Sequence, residues 1–563
     1  MSGRDSEAQH YGIGVSAGTA VGPVVQVRPP VRPPADEAAA ADPAEAGKRI
    51  REVMESVAVT LEERAAKADA TARQILTATA MMARDPGLGS SADKQLAKGK
   101  GPASAIDAAV EEFCAMFAAM GGYMAERVTD LRDVRDRAVA RVLGAPEPGI
   151  PDFDEPSVVV AMDLAPAETA GLSPERVRAI VTEAGGPTSH TAILAAQMGI
   201  PAVVQLADAT KLPVGTIVAV DGGSGLVVID PDEEYQAELV ARRERRTKAL
   251  STSSGPGMTA DGHAVALLAN IGGVKDAVKA GAEDVEGVGL FRTEFVFLDK
   301  ETAPTLEEQT ETYTKVFEAF GDRRVVVRTL DAGADKPLAF ADLGPEENPA
   351  LGRRGLRLSA LRQDLLDTQL HALANAAKAT GADVRVMAPM VATAEEAAWF
   401  ARRVAEHNLP KVGVMIEVPG AALRSRHVLA EVDFASLGTN DLGQYTMAAD
   451  RMQGELSTLL DPWQPALLDI VNAACEGGRA TGKPIGVCGE AAGDPLLALV
   501  LVGLGVSSLS MATSRVSAVR IALSLHDLAT CQRMATAARE QVSPEGARDA
   551  VAALADPTLL ELL

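Results

Sequence analysis

Hydrophobic positions recur every three or four residues in one long section of the chain, between residues 36 and 143. Runs such as Ile50, Val53 and Val57 repeat through it without an intervening strand pattern. This spacing predicts amphipathic helices. We therefore predict an inserted helical bundle at 35–143, with about four helices joined by polar loops such as Asp85 to Ser91.

The predicted bundle carries several methionines and phenylalanines, including Met81, Phe113 and Phe117. Such side chains can dock another protein when they are exposed, because methionine adapts to irregular surfaces. At helical spacing they serve equally well as core residues. The sequence leaves both interpretations open.

Short β-branched runs lie on both sides of the bundle. Residues 12–27 predict a glycine turn and one strand. After the bundle, further strands are predicted at 158–161, 177–181, 202–204, 216–220 and 226–229. The last two form a hairpin across Asp221 to Gly225. We predict a small α/β domain built from residues 1–34 and 144–230, with the bundle inserted into it.

The next section is a charged helix from Glu233 to Leu250, followed by small residues from Ser251 to Gly257. Such a composition is typical of a solvated connector that ends at a domain boundary. We predict a linker helix and hinge at 231–257.

Residues 258–563 alternate short, continuous apolar runs with helical stretches. About eight runs occur, at 264–270, 285–290, 324–329, 384–388, 412–417, 433–438, 484–488 and 506–510. Fully apolar strands at this spacing predict a parallel sheet closed as a (β/α)₈ barrel. An open doubly wound sheet is the alternative.

Bulk composition narrows the class of protein. The net charge is −23, from 54 basic and 77 acidic residues, which argues against non-specific binding to nucleic acid or anionic lipid. The 4 cysteines are scattered and form no CxxC pair, so a reducing compartment is expected. Neither a signal peptide nor an apolar run long enough to span a membrane is recognisable. We expect a cytoplasmic protein.

One polar stretch stands out in the small α/β domain, Gly185 to Ala192. An extended run leads into paired glycines, and a short helix is predicted from Thr191, capped by Ser189 or Thr188. A phosphate on His190 would then meet free backbone N–H groups at a helix start. Taken alone, the motif fits a surface histidine equally well.

Polar residues also follow the predicted barrel strands, where a barrel enzyme has its active site. The set comprises Arg292, Glu294, Arg328, Asp331, Glu417, Asn440, Asp441, Arg451 and Cys488. Each has an ordinary alternative: Arg292 and Glu294 as an ion pair, Glu417 as a helix cap, Cys488 as a small apolar residue. The coordinated placement on one rim favours a site.

The set has a consistent chemistry. Two or three arginines can clamp a carboxylate and a phosphate. Glu417 and Asp441 offer hard oxygen ligands, and Mg²⁺ takes one or two carboxylates together with substrate oxygens and waters. The sequence therefore predicts a small, doubly anionic phosphate ester bridged by Mg²⁺.

Several longer motifs together resemble one family, enzyme I of the bacterial sugar phosphotransferase system. They are GGxTSHTA, GxGLFRTEF, RTLDxGxDK, ENPALGxR, MAPM, GTNDLxQYT and VCGE, in that order over almost the whole chain. The resemblance implies transfer of the phosphoryl group of phosphoenolpyruvate to an enzyme histidine and then to the phosphocarrier protein HPr. Pyruvate is released, as the first step of sugar uptake. It also implies that the bundle docks HPr and that the barrel forms a homodimer.

The resemblance also implies a role for individual residues. His190 is the phosphohistidine, and Thr169 orients its imidazole. Cys488 is the acid that protonates C3 of the enolate. Glu417 and Asp441 hold Mg²⁺. The expected substrate contacts are Arg292, Arg328, Asn440, Asp441 and Arg451, with added positive charge from Lys336 and Arg354.

The sequence departs from the family near His190. Pro187 stands where a basic residue is usual, and Ala196 stands where an arginine is usual. Two other interpretations share some motifs: a relative of pyruvate phosphate dikinase, which needs an ATP-grasp domain, and a non-catalytic phosphohistidine regulator. The family mechanism also requires the His190 domain to swing on the 231–257 connector, because one imidazole serves two partners.

Overall fold

The computed structural model describes residues 9–562, apart from 17, 68–69, 121–126, 152, 154, 165–171, 173–174, 187–188, 299, 333–337, 342–343, 345 and 452. The predicted site residues Thr169 and Lys336, and Pro187, lie outside the described residues. Contacts divide the chain into two compact units, Met1–Glu244 and Arg245–Leu562. The finer division into four segments stays a prediction.

The first unit contains one eight-stranded sheet. Its strands are β1 Gln9–Tyr11, β2 Ile13–Ser16, β3 Thr19–Gln26, β4 Ser157–Ala161, β5 Val177–Thr182, β6 Ala202–Val204, β7 Ile217–Asp221 and β8 Leu226–Ile229. The order is β1-β8-β7-β3-β4-β5-β6-β2, and β7 and β8 form the predicted antiparallel hairpin.

The prediction of one strand over residues 12–27 is wrong, because this range contains two strands, β2 and β3, and a further strand, β1, precedes it. β1 pairs with β8 and β2 pairs with β6, so the chain crosses from one edge of the sheet to the other at Gly12. A Cβ atom at Gly12 would lie 2.5 Å from the carbonyl oxygen of Val204. Only glycine fits this corner.

Five helices occupy the described part of the insert. They are α1 Pro43–Lys67, α2 Ala70–Ala83, α3 Pro86–Ala97, α4 Pro102–Met120 and α5 Val128–Leu143. The predicted loop from Asp85 to Ser91 is in fact the start of α3. Asp85 accepts the N–H of Gly87 at 2.7 Å, and Pro86 occupies the first turn, where its missing N–H costs nothing.

Some large apolar residues of the bundle are exposed and others lie in its core, so both interpretations left open by the sequence apply. Met81 is 69% exposed and Met116 is 43% exposed. Phe113 and Phe117 are partly buried against a core that includes Val57 and the neighbouring helices. The methionines are therefore available to a partner, and the phenylalanines belong mainly to the core.

Two further α-helices are described between the bundle and the barrel. The helix α6 His190–Met198 follows β5, and α7 Glu233–Thr252 is the predicted charged helix. No helix in the described part of the chain is long and apolar enough to cross a membrane.

The second unit contains the predicted barrel. Eight parallel strands close in sequence order: β9 Ala266–Ile271, β10 Gly287–Arg292, β11 Arg324–Arg328, β12 Val384–Ala388, β13 Val412–Ile416, β14 Phe434–Leu437, β15 Ile485–Val487 and β16 Ser508–Met511. Closure follows from the pairing of β16 with β9. The (β/α)₈ prediction is confirmed, and the open-sheet alternative is wrong.

Helices surround the barrel and extend it at the C-terminal end. They are α8 Val274–Gly281, α9 Glu294–Phe297, α10 Leu306–Glu318, α11 Leu356–Leu361, α12 Gln363–Thr380, α13 Ala394–Glu406, α14 Pro419–Leu423, α15 Ser425–Ala430, α16 Thr439–Met447, α17 Pro465–Thr481, α18 Pro495–Leu504, α19 Thr513–Leu525, α20 Leu528–Arg539, α21 Pro544–Ala552 and α22 Pro557–Leu562.

Candidate active site

In the first unit, His190 is the first residue of α6, and Gly185 before it has a positive φ of 88°. The side chain of Ser189 accepts the N–H of Ala192 at 3.3 Å, as predicted for the cap. Thr191 is buried and donates to Asp163 at 3.2 Å. The chain therefore places His190 at the N-terminus of a helix, the end whose dipole favours an anion.

In the second unit, Arg328 is the centre of a buried ion-pair cluster at the carboxyl end of β11. Its Nη2 lies 2.5 Å from Oε1 of Glu294, and its Nη1 lies 3.0 Å from Oδ2 of Asp331. Glu417 lies 4.0 Å from Nη1. The alternative interpretation paired Glu294 with Arg292. In the structure Glu294 pairs with Arg328.

Burial alone lowers the pKa of the Arg328 guanidinium, but the three carboxylates reverse the effect and raise its pKa overall. The side chain is about 6% exposed. It therefore remains a charged cation, buried at the mouth of the barrel.

A second arginine extends the cluster along the rim. Nη1 of Arg354 donates to Oδ1 of Asp441 at 2.8 Å, and its Nη2 lies 3.2 Å from Oδ2 of Asp331. Arg451 approaches the other oxygen of Asp441 at 3.6 Å. Arg328, Asp331, Arg354, Asp441 and Arg451 thus form one continuous series of alternating charges.

Glu417 follows β13 and is 1% exposed. Its Oε2 accepts the N–H of Met390 at 2.9 Å. The helix-cap alternative is wrong, since α14 begins after Val418 without a side-chain cap. Burial raises the pKa of Glu417, Asp441 and Asp331 raise it further, and Arg328 and Arg354 oppose them.

This arrangement fits a divalent cation. A buried carboxylate with a raised pKa, close to a second carboxylate, gains stability from added positive charge. The described residues contain no cluster of three or more His, Cys, Asp or Glu side chains able to hold a metal. The carboxylates of Glu417 and Asp441 suit an ion that takes two protein carboxylates and completes its shell with water and substrate oxygens, as Mg²⁺ does.

Cys488 lies directly after β15 and is 1% exposed. It packs inside the barrel with Leu290 and Met415, and its Sγ lies 3.6 Å from the carbonyl oxygen of Leu437. Burial raises the pKa of the thiol to about 11. The group is both the small core residue of the alternative interpretation and a thiol that keeps its proton at neutral pH.

The remaining predicted contacts lie close to Cys488. Arg292 ends β10, and its charge acts on the Cys488 thiol. Asn440 lies on α16, and its Oδ1 accepts the N–H of Glu490 at 3.2 Å, which ties α16 to the segment after Cys488.

Three neighbours of the site were not predicted. Tyr445 receives a hydrogen bond from Arg354 at 3.3 Å, although it lies inside the quoted GTNDLxQYT motif. Met390 has a positive φ of 58°, and its backbone N–H donates to Glu417. Asn270 lies near the end of β9 and donates to the carbonyl of Cys488 at 3.2 Å. The strand-end rule applied to β9 would have found Asn270.

Comparison with known proteins gives the class. Three models of phosphoenolpyruvate-utilising enzymes match: the N-terminal domain at residues 11–127, the mobile domain at 153–225 and the PEP-binding domain at 246–528. The PEP-binding match contains every strand of the barrel and the cluster around Arg328. The chain is a phosphoenolpyruvate-utilising enzyme.

Curated relatives narrow the class to one family. A phosphoenolpyruvate–protein phosphotransferase of Streptomyces coelicolor is 52% identical over 549 residues, 96% of this chain and 98% of the relative. Enzymes of the same name from Haloferax volcanii and Streptococcus equinus are 43% and 41% identical, over 77% and 75% of this chain and 78% and 76% of their own lengths. The chain belongs to the phosphoenolpyruvate–protein phosphotransferase family, enzyme I of the sugar phosphotransferase system.

Proposed function

We propose that this chain takes the phosphoryl group of phosphoenolpyruvate onto His190 and passes it to HPr, releasing pyruvate. The observation that carries the proposal is the buried series of arginines and carboxylates at the carboxyl mouth of the barrel. It supplies cations for a doubly anionic ester and oxygen ligands for a metal in one place.

Arg328, Arg354 and Arg451 hold the phosphate and carboxylate of the substrate. Because Arg328 is fixed by Glu294 and Asp331, it does not have to be reoriented when charge moves from the phosphoryl group to the leaving enolate. Such preorganised charge lowers the barrier of phosphoryl transfer. Arg292 and Asn440 complete the substrate contacts beside Cys488.

Glu417 and Asp441 would hold Mg²⁺, which would supply charge neutralisation for the phosphoryl group and the enolate. Glu417 keeps its orientation through the N–H of Met390, so one of its oxygens is committed to the protein and the other faces the charged cluster.

In the reaction, a nitrogen of the His190 imidazole forms a bond to phosphorus while the bond between phosphorus and the enol oxygen breaks. The electron pair leaves with the enolate of pyruvate. Cys488 donates its thiol proton to C3 of that enolate, which completes pyruvate. The burial that raises the thiol pKa keeps this proton available at neutral pH.

HPr is proposed to dock on the helical bundle beside the exposed Met81 and Met116. Exposed methionines are suited to such a surface because the side chain is apolar and adaptable. His190 serves both the ester and HPr, so we propose that its domain moves on the connector at 231–257.

The barrel unit is proposed to mediate a homodimer. Several large apolar side chains on it are more than half exposed, among them Phe295, Leu351, Leu361 and Leu423. These are candidates for burial in a subunit contact.

Labelling from ³²P-phosphoenolpyruvate with Mg²⁺ tests the first half of the reaction. Wild type should acquire an acid-labile label with a stoichiometry close to one per chain, and His190→Ala should acquire none. A wild type that stays unlabelled favours a non-catalytic regulator. Label retained by His190→Ala would assign the acceptor to another residue.

A further inference from the structure

Beneath the mouth of the barrel lies a buried polar network centred on Gln369 of α12, outside the substrate contacts described above. Gln369 is 1% exposed. Its Oε1 accepts the backbone N–H of Leu330 at 2.9 Å. Its Nε2 donates to the hydroxyls of Thr293 and Tyr313, each at 3.0 Å. All hydrogen-bonding capacity of the amide except one lone pair is therefore used.

The two segments that Gln369 joins carry the ion pairs of Arg328. Thr293 lies between Arg292 and Glu294, and Leu330 lies between Arg328 and Asp331. The hydroxyl of Thr293, itself fully buried, donates to the carbonyl of Arg328 at 2.8 Å.

Gln369 and Thr293 thus bridge the ends of β10 and β11 just where regular strand pairing stops at Arg292 and Arg328. Beyond that point the main chain of both segments needs other partners.

We propose that Gln369 is a positioning residue for phosphoryl transfer, holding Arg328, with Glu294 and Asp331, in register through Thr293 and Leu330. The inference rests on the proposed function, because it assigns Gln369 a role only through Arg328 as a substrate contact. Small displacements matter here: a shift of about 1 Å in a catalytic group can cost on the order of 10²-fold in rate.

Replacement by methionine removes the amide and keeps the approximate volume. In Gln369→Met, the N–H of Leu330 loses its acceptor and the hydroxyl of Thr293 loses a donor. Arg328 then loses its fixed position. We expect kcat/KM for phosphoenolpyruvate to fall about 10- to 100-fold, with a raised KM as well as a lowered kcat.

Tyr313→Phe is the matched control, because the buried Tyr313 hydroxyl is bonded to the same amide but donates its own hydrogen to Gln309, not to Thr293 or Leu330. It should lower the melting temperature while leaving KM near the wild-type value. A purely structural role of Gln369 would lower only the fraction of active molecules, seen as a reduced end-point of labelled His190 with an unchanged KM.

Gln369→Glu provides a second, independent reading if the methionine variant does not fold. In this variant an ionised carboxylate still accepts the N–H of Leu330, but its second oxygen faces the hydroxyl oxygen of Thr293, which accepts a hydrogen bond from the amide in wild type. A protonated carboxyl group donates to the Thr293 oxygen, as the amide does. The kcat/KM of this variant relative to wild type should therefore rise as the pH is lowered.

Wild type labelled in the same assay separates the two hypotheses. Unlabelled wild type refutes the proposed function and, with it, the role of Gln369 in phosphoryl transfer, whereas labelled wild type leaves the variants to test the role of Gln369 alone. An unchanged KM in Gln369→Met overturns the inference. So does a pH-independent ratio of kcat/KM between Gln369→Glu and wild type.

Discussion

Nη1 of Arg354 donates to Oδ1 of Asp441 over 2.8 Å, so a proposed substrate contact and a proposed metal ligand are bound to each other. Both side chains are buried, at 4% and 8% exposure. A metal ion held by the Asp441 carboxylate would take this partner from the Arg354 guanidinium and would leave the guanidinium available to an incoming anion.

This pairing predicts that Mg²⁺ and phosphoenolpyruvate bind synergistically. In calorimetric titrations of His190→Ala, which cannot turn over, Mg²⁺ should tighten phosphoenolpyruvate binding about 10-fold, a coupling of typical size. By reciprocity, phosphoenolpyruvate should tighten Mg²⁺ binding by the same factor. Equal affinities with and without Mg²⁺ would contradict the pairing.

The same contact predicts an unusual result for Asp441→Asn. The substitution removes the charge that neutralises Arg354, so binding of phosphoenolpyruvate without Mg²⁺ should be at least as tight as in wild type. The effect of added Mg²⁺ should be largely lost. Weaker binding of the ester in metal-free buffer would show that Asp441 does not restrain Arg354.

Cys488 predicts a pH limit. Burial raises the thiol pKa from its usual value near 9 to about 11. The protonated thiol is the proposed proton donor, so proton delivery should persist between pH 9 and 10 and decline only towards pH 11.

Deuterium incorporation into the methyl group of pyruvate measures this step. Cys488→Ala should form pyruvate more slowly by about 10²-fold, the usual scale of a lost general acid. An alkaline limit near pH 9 would contradict the buried thiol.

Much of the barrel was predictable because each strand is buried on both faces and its apolar run is continuous. The end of β13 was placed within one residue, at Ile416. Strand ends then identified Arg328, Glu417 and Asp441, which the structure brings into one cluster.

The predictions that were wrong concern features that depend on contacts between residues distant in sequence. The corner at Gly12 requires β6 and β8, more than 180 residues away. Glu294 pairs with Arg328 on the next strand, a contact that the local spacing of Arg292 and Glu294 does not indicate. The helix cap by Asp85 is a local signal that the sequence does contain, but the glycines after Asp85 favoured the wrong prediction of a loop.

The helical bundle supplies a prediction about the second half-reaction. Replacing the exposed Met81 and Met116 by glutamate should slow transfer to HPr by at least about 10-fold, because a buried charge at the contact is costly. Labelling of His190 from phosphoenolpyruvate should be unchanged. Val214→Glu is the control, since Val214 is 71% exposed and lies outside the bundle. Equal effects of Met81→Glu and Val214→Glu would move the docking surface elsewhere.

The division into two units predicts a division of labour. A fragment of residues 1–252, which ends with α7, contains the compact unit Met1–Glu244. It should exchange phosphate with phospho-HPr and should not react with phosphoenolpyruvate. A fragment labelled directly by the ester would contradict the assignment of the substrate site to the barrel.

Transfer of ³²P from phosphoenolpyruvate to purified HPr tests the central claim most directly. With catalytic amounts of wild type and Mg²⁺, label should appear on HPr and pyruvate should form in equal amount, whereas His190→Ala should give neither. HPr that stays unlabelled while His190 is phosphorylated, or HPr labelled by His190→Ala, would contradict the account.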